Sequence, residues 1–91
     1  MIRSFKDKET ERLLNREPSL KFQNIERTAR VKLILLDEAE SLRDLSIPGL
    51  HLEKLTRDRV GQYSIRVNDQ YRICFVWRDG DAHEVEITDY H

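Results

Sequence analysis

Gln62-Tyr63-Ser64-Ile65-Arg66-Val67, Asn68-Asp69, Tyr71-Arg72-Ile73-Cys74-Phe75-Val76-Trp77 and Asp79-Gly80 form the stretch whose reading decides the fold. Successive side chains of an extended strand point to opposite faces, so a period of two marks a strand with one covered side. Over 62–67, Tyr63, Ile65 and Val67 take one face, and Ser64 and Arg66 the other. Over 71–77, Tyr71, Ile73, Phe75 and Trp77 share a face opposite Arg72, Cys74 and Val76. Asn68-Asp69 and Asp79-Gly80 are two-residue hairpin signals, the second the stronger because Gly accepts positive φ without penalty. A third strand over 82–90 then pairs back on the second. Three consecutive strands joined by tight turns make an antiparallel meander.

Working outward, Leu50, Leu52 and Leu55 alternate loosely as a preceding strand, and 41–49 is a break with Ile47-Pro48-Gly49 as its turn. A helix is expected over 22–40, because Phe22, Ile25, Ala29, Leu33 and Leu36 recur at spacings of three and four; Val31, Ile34 and Leu35 widen the stripe. A shorter helix is expected over 6–16, with Thr10, Leu13 and Leu14 as a thin stripe and Pro18 after its end. Ile2 to Phe5 alternates as a short strand. The sum is one α+β domain over 1–91, with two N-terminal helices packed on one face of a small, mostly antiparallel twisted sheet.

The 91 residues are 38% hydrophobic and 36% charged with a net charge of −1, the balance of a single globular unit. No apolar run reaches the roughly 18 residues of a membrane span, and Met1-Ile2-Arg3-Ser4 does not open a secretory signal. The cytoplasm is the expected location. The single cysteine, Cys74, excludes a disulfide scaffold and reads as a core filler. Charge is uneven: residues 51–78 carry six basic side chains against three acidic, whereas 79–91 carry five acids and no Lys or Arg. A locally basic middle segment suits a polyanion without making the whole chain an indiscriminate nucleic-acid binder.

The final residues, Ile87-Thr88-Asp89-Tyr90-His91, place an acid, a phenol and an imidazole side by side after an apolar strand. Those groups are suited to proton transfer at a bound substrate. Arg72 stands mid-strand on the face opposite the large apolar residues, where a rigidly held guanidinium fork matches phosphate oxygens. Arg57 and Arg59, in the loop before the strand, and Arg66 beside it add cations that can follow a nucleic-acid backbone. His51 and Lys54 on the preceding strand can add proton transfer or charge. His51, His83 and His91 lack a metal-ligand spacing, Cys74 has no CxxC partner, and no glycine-rich phosphate loop is present, so neither metal nor cofactor is expected. RNA carries its own nucleophile, the 2′-hydroxyl, and its cleavage asks only for a base, an acid and cations on the phosphate.

Met1-Ile2-Arg3-Ser4-Phe5, the hairpin Ser64-Ile65-Arg66-Val67-Asn68-Asp69-Gln70-Tyr71-Arg72-Ile73-Cys74-Phe75 and the closing Asp89-Tyr90-His91 resemble, in order and separation, the HigB-type toxins of the RelE/ParE superfamily. The resemblance spans nearly the whole chain. It implies a toxin of a bacterial toxin–antitoxin pair that cleaves messenger RNA in the ribosomal decoding site. It also implies neutralisation by a helix-turn-helix, HigA-like antitoxin, through which the pair binds operator DNA. Arg72 matches the family's phosphate-contacting arginine, and Asp89, Tyr90 and His91 match its C-terminal catalytic cluster. Upstream the pattern departs: counting from Asp58-Arg59, Glu53 stands in the place of the family's His and Thr56 in that of its Lys. His51 and Lys54 each lie two residues early, a shift that keeps strand parity. A non-catalytic toxin acting through protein binding, as in the ParE branch, and a mere co-repressor are the competing expectations.

Overall fold

Residues 1–89 are described in the computed structural model; of Arg57 only the backbone is. Two helices, α1 (Lys8–Leu14) and α2 (Glu26–Glu38), precede four strands: β1 (Glu53–Lys54), β2 (Gln62–Arg66), β3 (Tyr71–Arg78) and β4 (Asp81–Asp89). Single turns of 3-10 helix at Leu42–Leu45, Pro48–Leu50 and Arg57–Arg59 join them. The sheet is antiparallel throughout, in the order β1-β2-β3-β4. This is the two-layer α+β arrangement expected from the alternation, and Asp79 and Gly80, both at positive φ (55° and 79°), make the expected turn.

Both helices are shorter than their hydrophobic patterns. The Asp7 carboxylate caps α1 by accepting from the Thr10 N–H at 3.1 Å, and Arg16 leaves it in the left-handed region. Phe22 and Ile25 are buried but precede α2, so the apolar spacing extended beyond the helix that it helps to pack. Ala29, Leu33 and Leu36 of α2 meet Ile65, Ile73, Phe75, Val85 and Ile87 of the sheet in one core. At about 1.5–3 kcal/mol for each large apolar side chain, that layer is the main stabilising contribution.

Two expected strands are reduced. Only Glu53 and Lys54 of the 50–55 stretch pair with β2, because Pro48–Leu50 turns as a 3-10 segment and His51 is left-handed (φ 45°, ψ 54°). The N-terminal segment makes two isolated parallel bridges to β4, Ile2 to Ala82 and Phe5 to Val85. It is tied down by Ile2 N–H donating to Asp37 (2.8 Å) and by Arg3 Nε on Asp81 (3.0 Å). The Arg3 guanidinium, followed by the N-terminal ammonium, holds the Asp81 carboxyl below its usual 3.8. Farther along β4, the Ile87 N–H donates to the Thr10 hydroxyl at 3.1 Å. The β4 edge is thereby closed to another strand over most of its length.

One irregularity sets the chemistry of β4. Val76 pairs with His83 and Cys74 with Glu86, so β4 carries an extra residue in this interval, with Glu84 at φ 51°. Such a bulge shifts the two-residue period by one position. It turns Val85 and Ile87 into the core and brings Glu86 and Thr88 to the opposite face, beside Cys74 and Arg72.

Candidate active site

The face of the sheet turned away from the helices is built in rows, because residues directly paired across strands share a side. One row reads Glu53, Ser64, Cys74, Glu86; the next reads Arg66, Arg72, Thr88. Arg72 lies at the centre. Its Nε donates to Ser64 Oγ at 2.7 Å, and its Nη2 donates to the Ser64 carbonyl at 3.2 Å and to the His51 carbonyl. The side chain is 11% exposed, and all three acceptors are uncharged. Among the described residues the carboxylate within ion-pair reach is Glu53, whose Oε2 stands 4.0 Å from Nη2 and whose own side chain is 57% exposed. A sheltered guanidinium whose close partners are neutral keeps its charge available to an incoming anion. Arg66 directly opposite adds a second guanidinium to this row, itself paired with Asp69.

Among the described residues no helix covers this face, yet Ser64 and Cys74 are fully buried. The cover is polar. Arg59 Nη1 donates to Gln62 of β2 at 3.2 Å and to Glu86 of β4 at 3.1 Å. Its guanidinium therefore straddles β3, and Lys6 holds the same Glu86 oxygen at 3.3 Å. The turn carrying His51 closes over Arg72 from the other side.

The remaining sequence candidates divide. Arg66 stands in the Arg72 row and also bonds Asp69 of the hairpin turn. His51 reaches Arg72 through its backbone carbonyl, while its side chain is exposed beside Ile47, Pro48 and Leu52. Lys54 pairs with Tyr63, whose ring stacks on Phe75 at 6.2 Å on the helix side, so its register points away from Arg72. Asp89 pairs with Tyr71 and accepts from Gln70 Nε2 at 3.0 Å, again on the side opposite Arg72. Arg57 belongs to the same short turn as Arg59; its side chain, and Tyr90 and His91 entirely, lie outside the described residues.

Sequence reasoning missed Ser64 as the cradle of Arg72 and Glu86 as the anchor of Arg59. Ser64 was legible in principle, as the small polar residue sharing a face with Arg66 one strand away. Glu86 was not, because the bulge at Glu84 reverses the parity that an uninterrupted strand would give it. Thr88 Oγ1, at the end of the Arg72 row, is buried with no hydrogen-bond partner among the described residues.

Comparison with known proteins agrees with this architecture. Residues 3–91 match the family model for HigB-like toxins, described as the RelE-like toxin of the type II toxin–antitoxin system HigB. The chain is 40% identical over 85 residues to Toxin HigB-1 of Vibrio cholerae, covering 90% of each chain. It is 32% identical over 93 residues to Endoribonuclease HigB of Proteus vulgaris, covering 100% of each. A heterotetrameric YoeB–YefM toxin–antitoxin complex from Staphylococcus aureus contains a chain that superposes with a TM-score of 0.65 at 21% identity, covering 100% of this chain and 95% of that one. The YoeB likeness concerns the fold alone, whereas the sequence matches run the length of the chain and carry the assignment: this protein belongs to the HigB family of RelE-like toxins of type II toxin–antitoxin systems.

Proposed function

We propose that this toxin is a ribosome-dependent endoribonuclease that cleaves messenger RNA by acid–base chemistry, using the substrate's 2′-hydroxyl as nucleophile. The observation that carries the reading is Arg72, fixed on the sheet by Ser64 and His51, sheltered, and bonded closely only to neutral acceptors. A phosphate diester brings an anion into direct contact with a guanidinium whose hydrogen-bond acceptors are neutral, and charge developing on its oxygens at the transition state strengthens the contact. Arg66, in register with Arg72, and Arg57 and Arg59, in the turn beside β2, extend positive charge along the RNA backbone. His91 and Tyr90 share the proton transfers, and Asp89, at the end of β4, steers the segment that bears them. The name Endoribonuclease HigB, carried by a relative aligned over the whole chain, supports the same class of reaction.

The partners that follow are the ribosome with its message and a helix-turn-helix, HigA-like antitoxin that carries the pair to operator DNA. The test is purified toxin with translating ribosomes and a reporter message. Discrete cuts within codons, lost in Arg72→Ala and on removal of His91, are expected. An intact message during growth arrest by the same protein overturns the nuclease reading in favour of toxicity by protein binding.

A further inference from the structure

We infer that the hollow beside His51 is a stacking subsite for a nucleobase of the message, one that flanks the phosphate held by Arg72; the inference rests on the nuclease reading above. The hollow measures about 520 Å³ and is lined by Ser46, Ile47, Pro48, His51 and Leu52. It adjoins Arg72, because the His51 carbonyl accepts from Arg72 Nη2. The left-handed backbone of His51 (φ 45°, ψ 54°) bends the chain here. One residue thus turns its carbonyl to the phosphate-binding group and leaves its exposed imidazole at the hollow.

A base and its phosphate are joined through a single ribose, so a protein that holds the phosphate brings the base close by. The surface on offer there is an imidazole with apolar neighbours. Every base has a π face, and single-stranded RNA is held by stacking on flat side chains, histidine included. Ile47 is 45% exposed and Pro48 is exposed beside it, apolar surface that a base would take out of water. None of the five lining residues is acidic, so the hollow itself does not repel the adjoining phosphates.

The shelf is also stiff before any ligand arrives. Leu45 and Leu50 are buried in the core on either side of it. The Leu50 N–H donates to the Ile47 carbonyl at 3.0 Å, and Pro48 fixes its own φ. A surface already in its binding shape loses little entropy when a base settles on it. Stacking asks His51 for a flat ring and not for a titratable nitrogen, which separates this role from the proton transfer that its residue type suggested.

Single-turnover cleavage on translating ribosomes, followed over a range of toxin concentrations, tests the assignment with His51→Asn and His51→Phe, each first checked for a native circular-dichroism spectrum. Asn tolerates the left-handed backbone and removes the ring; Phe keeps a flat ring that carries no proton. His51→Asn is expected to raise the half-saturating concentration by about 5–100-fold, the range of one lost base stack, with a smaller effect on the maximal rate. His51→Phe should stay close to the unaltered protein. A message lacking one base beside the scissile phosphate, its ribose and 2′-hydroxyl kept, completes a cycle of changes. At one of the two flanking nucleotides, loss of the base should weaken the unaltered protein and add nothing to His51→Asn. Losses that multiply at both nucleotides, a His51→Phe protein as weak as His51→Asn, or a His51→Asn protein equal to the unaltered one each overturn the subsite. If the unaltered protein still cuts the intact message in those cases, the nuclease reading stands without it; if it leaves that message whole, the nuclease reading falls and takes the subsite with it.

Discussion

The two faces of one strand, β3, divide the labour of this molecule. Toward the helices, Ile73 and Phe75 are fully buried among apolar neighbours, with Tyr63 and Trp77 rings 6.2 and 6.3 Å from Phe75. Away from them, Cys74 is equally buried and Arg72 nearly so, but their cover is an arginine, a serine and a turn of backbone. Equal burial has opposite meanings here. On the helix side it removes apolar surface from water and stabilises the fold. On the other it holds a charge still, at an expense in stability that a bound anion would offset.

The contrast is broken most severely from the apolar side. Phe75→Ala should cost about 3–5 kcal/mol, a large part of the roughly 5–15 kcal/mol available to a domain of this kind; urea denaturation should show a sharply lower midpoint. Arg72→Ala should leave the midpoint far less affected while cleavage falls by about 10²–10³-fold. Arg72→Lys should not restore it, because an ammonium cannot reproduce the planar fork. Equal damage to stability and cleavage in Arg72→Ala would erase the distinction between the faces.

Ser64→Ala sharpens the comparison from within the cradle. It removes the 2.7 Å acceptor of Arg72 Nε but leaves both carbonyls. A loss of about 1–3 kcal/mol in stability is expected, with cleavage reduced on the order of tenfold through misplacement of the guanidinium. The smallest effect should come from Asp81, remote from the Arg72 row and only partly buried. Its carboxyl is lowered from 3.8, chiefly by Arg3, so the ion pair stabilises the folded state fully above that value. The contribution disappears as pH falls through the lower folded-state pKa. Asp81→Asn should therefore lie slightly below the unaltered protein in urea titrations at neutral pH and converge with it in acid, with cleavage unaffected.

Much of the fold was legible because its signals are local. The alternation of Tyr63, Ile65 and Val67 against Ser64 and Arg66, and the Asp79-Gly80 turn, need only neighbours in sequence to be read. The failures share a cause: β1 shrinks to Glu53–Lys54 because of the left-handed turn at His51, and β4 changes parity because of the bulge at Glu84. Both are backbone events at non-glycine residues, which carry no compositional mark. The site was legible as far as Arg72 and its face. The reach of Arg59 to Glu86, 27 positions away, joins residues that no local pattern connects.

The bridges from Ile2 to Ala82 and from Phe5 to Val85 join the first residues of the chain to its last hairpin. Contacts so distant in sequence close late in folding, after the intervening loop entropy has been overcome. During synthesis this flank of the sheet cannot be completed until the β3–β4 hairpin has emerged from the ribosomal tunnel. This flank of the sheet therefore stays open on a nascent chain until residues 82–85 are free to pair, a delay built into chain topology and independent of any inhibitor.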